Sequence, residues 1–500
     1  MDRSLLIAAA SGLLLSAAFP RPDFYPLAWI ALAPLFMVMR RRPFASGFTA
    51  GLVFFAVVLY WLNIVMTTYG GLSPLFSLLA YLMLLLYLAG FFAVVTWGAC
   101  RLEALLKIPA LLSLPVLWVS VEYLRGVLLT GFPWALLGYS QQNFSLAIQS
   151  ADVTGVYGVS LLLVAVNGAL AWVLREAGRK QAWLGALAVL LVSVSHLGYG
   201  YFREMQPLDQ REAQLRVALV QGNVDQAIKW NPEHRQATVD KYLQLSSQPG
   251  AVSPELIIWP EAATPFYLQD ASSYSAQVRQ LPEQLGSYLL VGSPAYQQIA
   301  EHSYLNFNSA FLFSPQGAEL GRSDKIHLVP FGEYVPLGSL LTFVNKLVAG
   351  VGDFSPGTVN PLPLNGHRLG VLICYEAIFP ELARDYVRQG SDLLVNLTND
   401  AWFGQSSAPY QHLAMTRFRA IENRIWLARV ANTGISALIA PSGQVVASSP
   451  LFATASLSGT VGLGSEATLY TRFGDLLAYL CLLLSAGATL AAVVVHKRQL

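Results

Sequence analysis

Three residues of this chain stand where acyl chemistry would need them. Cys374 follows the apolar run Leu369-Gly370-Val371-Leu372-Ile373 and precedes Tyr375-Glu376 and a helical pattern. Glu261 follows Ile257-Ile258-Trp259-Pro260, and Lys325 lies in Arg322-Ser323-Asp324-Lys325-Ile326-His327-Leu328-Val329-Pro330. Transferring an acyl group takes a nucleophile, a base to deprotonate it and a cation for the developing oxyanion. Cysteine, glutamate and lysine are those three parts. A thiol between a strand end and a helix start also meets a dipole that favours thiolate. Each residue has another reading when taken alone. A strand-end cysteine also serves as a small buried hydrophobe, a glutamate after proline as a turn or cap residue, and a loop lysine as solvated surface. Composition and spacing leave those alternatives open.

The segment that must position these residues differs from the rest of the chain. Of 500 residues, 54% are hydrophobic and 12% charged, against roughly 25% charged in soluble domains. Through Phe202 there are 11 Lys/Arg and 6 Asp/Glu, and Arg203–Ser465 holds most of the remainder. Disorder, a fibrous repeat and a disulfide scaffold are excluded. A net charge of +2 gives no footing for nucleic acid. Cys100, Cys374 and Cys481 have neither paired nor zinc spacing, and no metal or cofactor is expected. Within the charged segment, Leu215–Gln221, Glu255–Trp259, Tyr288–Gly292, Asn308–Phe313, Leu369–Ile373 and Asp392–Leu397 read as buried strands. Ala428–Ile439 adds one or two more, before a turn at Pro441-Ser442-Gly443. Helical patterns at Glu233–Ser246 and Phe379–Gln389 lie between them, so the class is α/β with strands covered on both faces. In such sheets ligands gather at the carboxyl ends of strands. No G-x-G-x-x-G, Walker A, H-E-x-x-H or G-x-S-x-G motif is present.

The flanking parts read as membrane. A bilayer core takes about 20 apolar residues in a helix. Phe44–Met66, Gly71–Cys100, Val153–Leu174, Gln181–Phe202 and Leu476–Val495 carry no charge and are long enough. Ile108–Val121, continuing past Glu122 and Arg125 to Leu129, is a weaker span. Leu5–Phe19 and Tyr25–Met39, split by Pro20-Arg21-Pro22-Asp23, form an expected hairpin of two marginal spans. That makes eight crossings, seven before the soluble segment and one after it. With the N-terminus inside, Arg40-Arg41-Arg42, Arg101, Lys107, Arg175, Arg179, Lys180, Lys497 and Arg498 fall on the inner side, while Thr67–Ser73 and Thr130–Ser150 carry no positive charge. Arg203–Ser465 is then outside the cytoplasm, which in a bacterium is the periplasm. The expected organisation is 1–203 membrane helices, 204–465 catalytic domain, and 466–500 a last helix with a cytoplasmic tail.

Trp259-Pro260-Glu261, Lys325 within its His-Leu-Val-Pro-Phe-Gly-Glu context, and Cys374-Tyr375-Glu376 resemble the three motifs of the nitrilase (carbon–nitrogen hydrolase) superfamily. Asn399-Asp400-Ala401-Trp402-Phe403-Gly404 and Arg419-Ala420-Ile421-Glu422-Asn423-Arg424 are further matches. Set between seven spans and one, the domain is similar to the membrane-bound acyltransferases of that superfamily that act on lipoproteins. The resemblance implies an α-β-β-α sandwich, with Glu261 as base, Lys325 as oxyanion stabiliser and Cys374 as nucleophile. It also implies the partners: a phospholipid acyl donor, a diacylglyceryl-cysteine apolipoprotein acceptor and the inner-membrane bilayer. Glu333 matches a glutamate that supports the lysine and base. Trp230, Tyr375 and Glu376 match residues around the pocket, and Asn308 matches less distinctively; Glu376 also reads as a helix cap. Arg417, Arg419, Arg424 and Arg429 read as salt-bridged structure, and His327 and His412 as structural. The other readings are a membrane-anchored amidase or nitrile hydrolase, which one anchor would serve, and a transporter with an external binding domain. Against the transporter, the spans hold few ionisable residues.

Leu337–Gly350 is strongly apolar although it connects catalytic motifs. It reads as a core helix or as a lid that dips into the outer leaflet through Leu341, Phe343 and Leu347, with glycines at 338, 350 and 352 as hinges. Phe132, Trp134 and Tyr139 would form the facing wall.

Overall fold

In a computed structural model of the chain, residues 2–206, 213–248, 253–334 and 354–499 are described. The apolar stretch with Leu341, Phe343 and Leu347 lies outside them. The chain divides into two units: 1–63, 74–206 and 472–500 form the first, and 64–73 with 207–471 the second.

Side chains alternate across a strand, so a strand that is apolar at every position must bury both faces. In β1 (Gln214–Gln221), Val217 and Leu219 point one way and Ala218 and Val220 the other, all buried. The first pair joins Leu256 and Ile258 of β2 (Leu256–Trp259) in a core shared with Leu369, Val371 and Ile373 of a second sheet. The second pair packs with Val239, Tyr242, Val278 and Leu281 of helices Arg235–Ser246 and Ser273–Leu285. That is the sandwich: helices, sheet, sheet, helices.

The first sheet has the order β12-β1-β2-β3-β4-β5 and the second β11-β10-β9-β8-β7-β6, among the described residues. The remaining strands are β3 (Tyr288–Ala300), β4 (Ser303–Phe313), β5 (Glu319–Asp324), β6 (Leu362–Leu364), β7 (His367–Ile373), β8 (Leu393–Thr398), β9 (Leu427–Ala431), β10 (Ala437–Ile439), β11 (Val445–Ser448) and β12 (Ala455–Gly462). The parallel trios β1-β2-β3 and β7-β8-β9 lie within antiparallel neighbours. Helices Pro380–Arg388 and Ala408–Asn423 are the crossovers of the second trio. Gly370 lets the first of them sit down on β7, because a Cβ there would lie 2.8 Å from that of Tyr386.

Among the described residues of the first unit, five helices are long and apolar enough to cross a membrane: Pro74–Leu106, Ala110–Thr130, Val156–Arg175, Lys180–Glu204 and Leu476–Gln499. Pro43–Val58 with Leu62–Tyr69 makes a sixth if counted as one broken span, the chain passing to the second unit at 64. The expected N-terminal hairpin is shorter, with Arg3–Ser16 and Tyr25–Val38 each below the length of a straight crossing. Glu122 and Arg125 are turned onto main chain. Glu122 Oε1 accepts from Leu137 N at 2.7 Å, and Arg125 Nη1 donates to the Trp134 carbonyl at 2.7 Å. Trp134 and Tyr139 are buried inside this unit, which differs from the interfacial wall expected of them; Trp134 lies tilted against Trp61.

Candidate active site

The chemistry-bearing groups collect at the carboxyl ends of strands from both sheets. After β2, Pro260 ends the ladder and the chain turns sharply at Ala262, whose φ is +47°. Gly292 on β3 permits this turn: a Cβ there would lie 2.2 Å from the Pro260 carbonyl oxygen and 2.7 Å from Glu261 Cα. Glu261 is thereby buried facing Asn308 of β4, whose Nδ2 donates to Glu261 Oε1 at 2.8 Å and to Glu333 Oε1 at 3.0 Å. Lys325 follows β5 directly, and its N–H donates to the Asn308 carbonyl at 2.8 Å. Its Nζ reaches Glu333 Oε1 at 2.8 Å and lies 3.6 Å from Glu261 Oε1. Glu333 Oε2 accepts from Val329 N at 2.8 Å, which closes the loop that carries both Lys325 and Glu333.

Burial by itself would favour loss of the Lys325 proton. The charges of Glu333 and Glu261 outweigh that, and hold the ammonium above its usual range. The lysine is a fixed buried cation, 1% exposed, clasped by two carboxylates.

Cys374 sits at the junction of β7 and the short 3₁₀ helix Cys374–Ile378, in the left-handed region at φ +54°. Non-glycine residues avoid that region unless the surroundings hold them there, and such strain concentrates at functional sites. Sequence reasoning expected a dipole-stabilised thiolate. The structure gives the opposite resting state: burial, then the charge of Glu261, push the thiol above its ordinary range, and the pull of Lys325 does not reverse this. Cys374 waits as a thiol and must hand its proton to a base as it reacts.

Glu376 ties the nucleophile to the lysine loop. Its carboxylate accepts from Ile373 N at 2.6 Å, before the cysteine, and from Ile326 N and His327 N at 2.5 and 3.0 Å, after the lysine. Glu376 caps the 3₁₀ helix Cys374–Ile378 and not the helix that follows it, and the same carboxylate fixes one catalytic segment against the other. Burial raises the Glu376 carboxyl to about 7, against those hydrogen bonds and the Lys325 charge. Tyr375 is half-buried with its ring edge-on to Phe379, and His327 stacks on Phe379 at 3.8 Å. Burial and Lys325 hold His327 down at about 4, so it remains a neutral packing group.

Some participants were assigned no role in the site from the sequence. Asn399 N donates to Glu261 Oε2 at 2.9 Å, so the base is held by both sheets. Lys229, rather than its half-buried neighbour Trp230, reaches Glu261: its Nζ lies 3.4 Å from the Glu261 carbonyl oxygen. Burial lowers the Lys229 ammonium to about 8, against the Glu261 charge. Asp400 is fully buried between Arg429 at 2.7 Å and His412 at 3.1 Å. Residues 64–73 pack in this unit, with Tyr69 edge-on to Trp402 at 5.5 Å. Arg419 pairs with Glu422 at 2.9 Å, as salt-bridged structure.

A buried cysteine, a carboxylate base and an immobile cation can form, stabilise and break a tetrahedral adduct at an acyl carbon. Residues 216–467 match the family model described as carbon-nitrogen hydrolase, and residues 11–169 match that described as apolipoprotein N-acyltransferase N-terminal domain. The chain is 48% identical to an apolipoprotein N-acyltransferase of Geobacter metallireducens, over 99% of this chain and 96% of the relative. It is 38% identical to that of Methylococcus capsulatus, over 95% and 93%. With that of Nitrosomonas europaea it shares 36% identity, over 97% of each chain.

Proposed function

The chain belongs to the apolipoprotein N-acyltransferase family, and from that premise we propose a two-step acyl transfer through Cys374. Glu261 takes the thiol proton as the sulfur attacks the ester carbonyl of a membrane phospholipid. The oxyanion forms beside Lys325, whose ammonium is already in place and needs no rearrangement to meet it. As the adduct collapses, Glu261 returns the proton to the departing oxygen, leaving a thioester on Cys374 and a lysophospholipid. The N-terminal α-amine of a diacylglyceryl-cysteine lipoprotein then attacks the thioester and loses its proton to Glu261. The thiol is regenerated and the amide product leaves. A thioester keeps the acyl group reactive, and an amine outcompetes water where water is held out.

The observation that carries this reading is the placement of Lys325, buried between Glu261 and Glu333 and acting on Cys374. Asn308, Glu333 and Glu376 hold that geometry, while Tyr375 and Trp230 line its approach. In this reading 1–203 anchor the enzyme in the bacterial inner membrane, 204–465 work in the periplasm, and both termini are cytoplasmic. The positive charge of the inner loops supports that orientation. Eight crossings require the short N-terminal pair to span.

The test is to give purified protein a phospholipid and a peptide beginning with diacylglyceryl-cysteine. Triacylated peptide and lysophospholipid in equal amounts are the expected products. Release of ammonia from a simple amide, with no peptide acylation, would favour the amidase reading. Binding without any covalent change would favour the transporter.

A further inference from the structure

His412, on helix Ala408–Asn423, is buried and has so far had no part in the chemistry. Its Nε2 lies 3.2 Å from the carbonyl oxygen of Cys374. A carbonyl only accepts, so this contact is a hydrogen bond when Nε2 carries the proton. Two charged groups meet the other side of the ring. Nδ1 lies 3.2 Å from Nη2 of Arg429, a permanent donor, which itself binds Asp400 Oδ2 at 2.7 Å. Nδ1 also lies 3.1 Å from Asp400 Oδ1, so a donor and an acceptor both meet it, while the Cys374 carbonyl makes Nε2 the donating nitrogen. Burial and the Arg429 charge lower the proton affinity of His412, against the pull of Asp400 and of the Cys374 carbonyl.

The same Cys374 carbonyl also accepts from Asn396 Nδ2 at 3.4 Å. Two side chains therefore fix one carbonyl of a residue at φ +54°. A trans peptide is rigid and planar, so pinning the Cys374 carbonyl also sets the Tyr375 N–H, which points the opposite way.

We propose that His412 is a positioning residue for acyl transfer: by donating from Nε2 to the Cys374 carbonyl it fixes the Cys374–Tyr375 peptide and aims the Tyr375 N–H at the oxyanion. The donor set is then Lys325 from one sheet and a main-chain N–H from the other. Asp400 and Arg429 hold the imidazole in place from its Nδ1 side. The inference rests on Cys374 being the nucleophile.

Two rates measured at Cys374 separate aim from general support. Alkylation by iodoacetamide needs a reactive thiol and no oxyanion donor, whereas acylation by phospholipid needs both. His412→Leu should acylate roughly 10- to 100-fold more slowly, since a misdirected donor forfeits part of what a full oxyanion donor supplies, and should alkylate as the parent does. His412→Gln, whose amide N–H reaches the place of Nε2–H, should recover most of the acylation rate. Where the Leu variant is too unstable to purify, His412→Met carries the same comparison. Acylation at the parent rate without the donor overturns the proposal. So does an equal fall in both rates, or failure of Gln to restore acylation. Absence of acyl label on Cys374 of the unaltered protein is a different result, and refutes the nucleophile assignment itself.

Discussion

From the first sheet, Glu261, Asn308 and Lys325 hold one another through side chains, with Glu333 closing the group. From the second sheet, Cys374 is held through main chain: a left-handed φ, a carbonyl bound by Asn396 and His412, and a flanking N–H on Glu376. The first arrangement is a network of shared partners. Lys325 keeps one carboxylate if it loses the other, and Glu261 keeps Asn399 N–H if it loses Asn308. The second has no such redundancy, because the reacting atom is a single sulfur. Substitutions of the members that share partners in the charged half should therefore give graded losses, and removal of the base or the nucleophile a complete one.

The largest effect belongs to Cys374→Ser, which should abolish turnover and accumulate no acyl-enzyme in a labelled-phospholipid assay. A hydroxyl stays protonated in a site that already raises the thiol. Glu261→Gln should be inactive in the same assay, since the proton then has no acceptor. Lys325→Met comes next, with a loss of roughly 3–4 kcal/mol of transition-state stabilisation, read as slowed acyl-enzyme formation in single-turnover kinetics. Glu333→Gln sharpens the comparison. Lys325 keeps Glu261, so activity should fall by roughly 10- to 100-fold, the range expected for one charge-assisted contact. If Glu333→Gln were as inactive as Cys374→Ser, the idea of shared partners would fail.

The smallest effect is on stability, beneath the second sheet's half of the site. Burial alone would raise the Asp400 carboxyl, but Arg429 and His412 outweigh it and hold it at about 2, below the ordinary 3.8. A carboxyl depressed on folding adds stability that is fully present above its unfolded value and is lost as pH falls through the folded one. The gap in thermal midpoint between the parent protein and Asp400→Asn should thus be widest above about pH 4, and should narrow toward pH 2. A gap that does not change across that window would contradict the assignment.

The parts of the fold legible in the sequence were those buried on both faces. β2, β7 and β8 are nearly continuous apolar runs, and each delivers a site residue at its end. β12 alternates Ser, Gly and Thr with small apolar residues, and β5 is Glu-Leu-Gly-Arg-Ser-Asp, so neither announces itself. Glu261, Lys325 and Cys374 were visible as motifs. Lys229, the Asn399 N–H and the role of His412 were not, because each acts through main-chain atoms that only the fold brings near. The thiolate expectation failed for a physical reason: a helix dipole is a modest term at a site where burial is complete.

The central claim is a thioester on Cys374, and intact-protein and peptide mass spectrometry test it directly. Protein incubated with a single defined phospholipid and no acceptor should gain the mass of one acyl chain, located on the peptide containing Cys374. Hydroxylamine should remove it, and so should the acceptor peptide, which takes up the chain on its α-amine. A protein that turns over donor without that adduct, carries it on another residue, or cannot pass it to the amine would contradict the account.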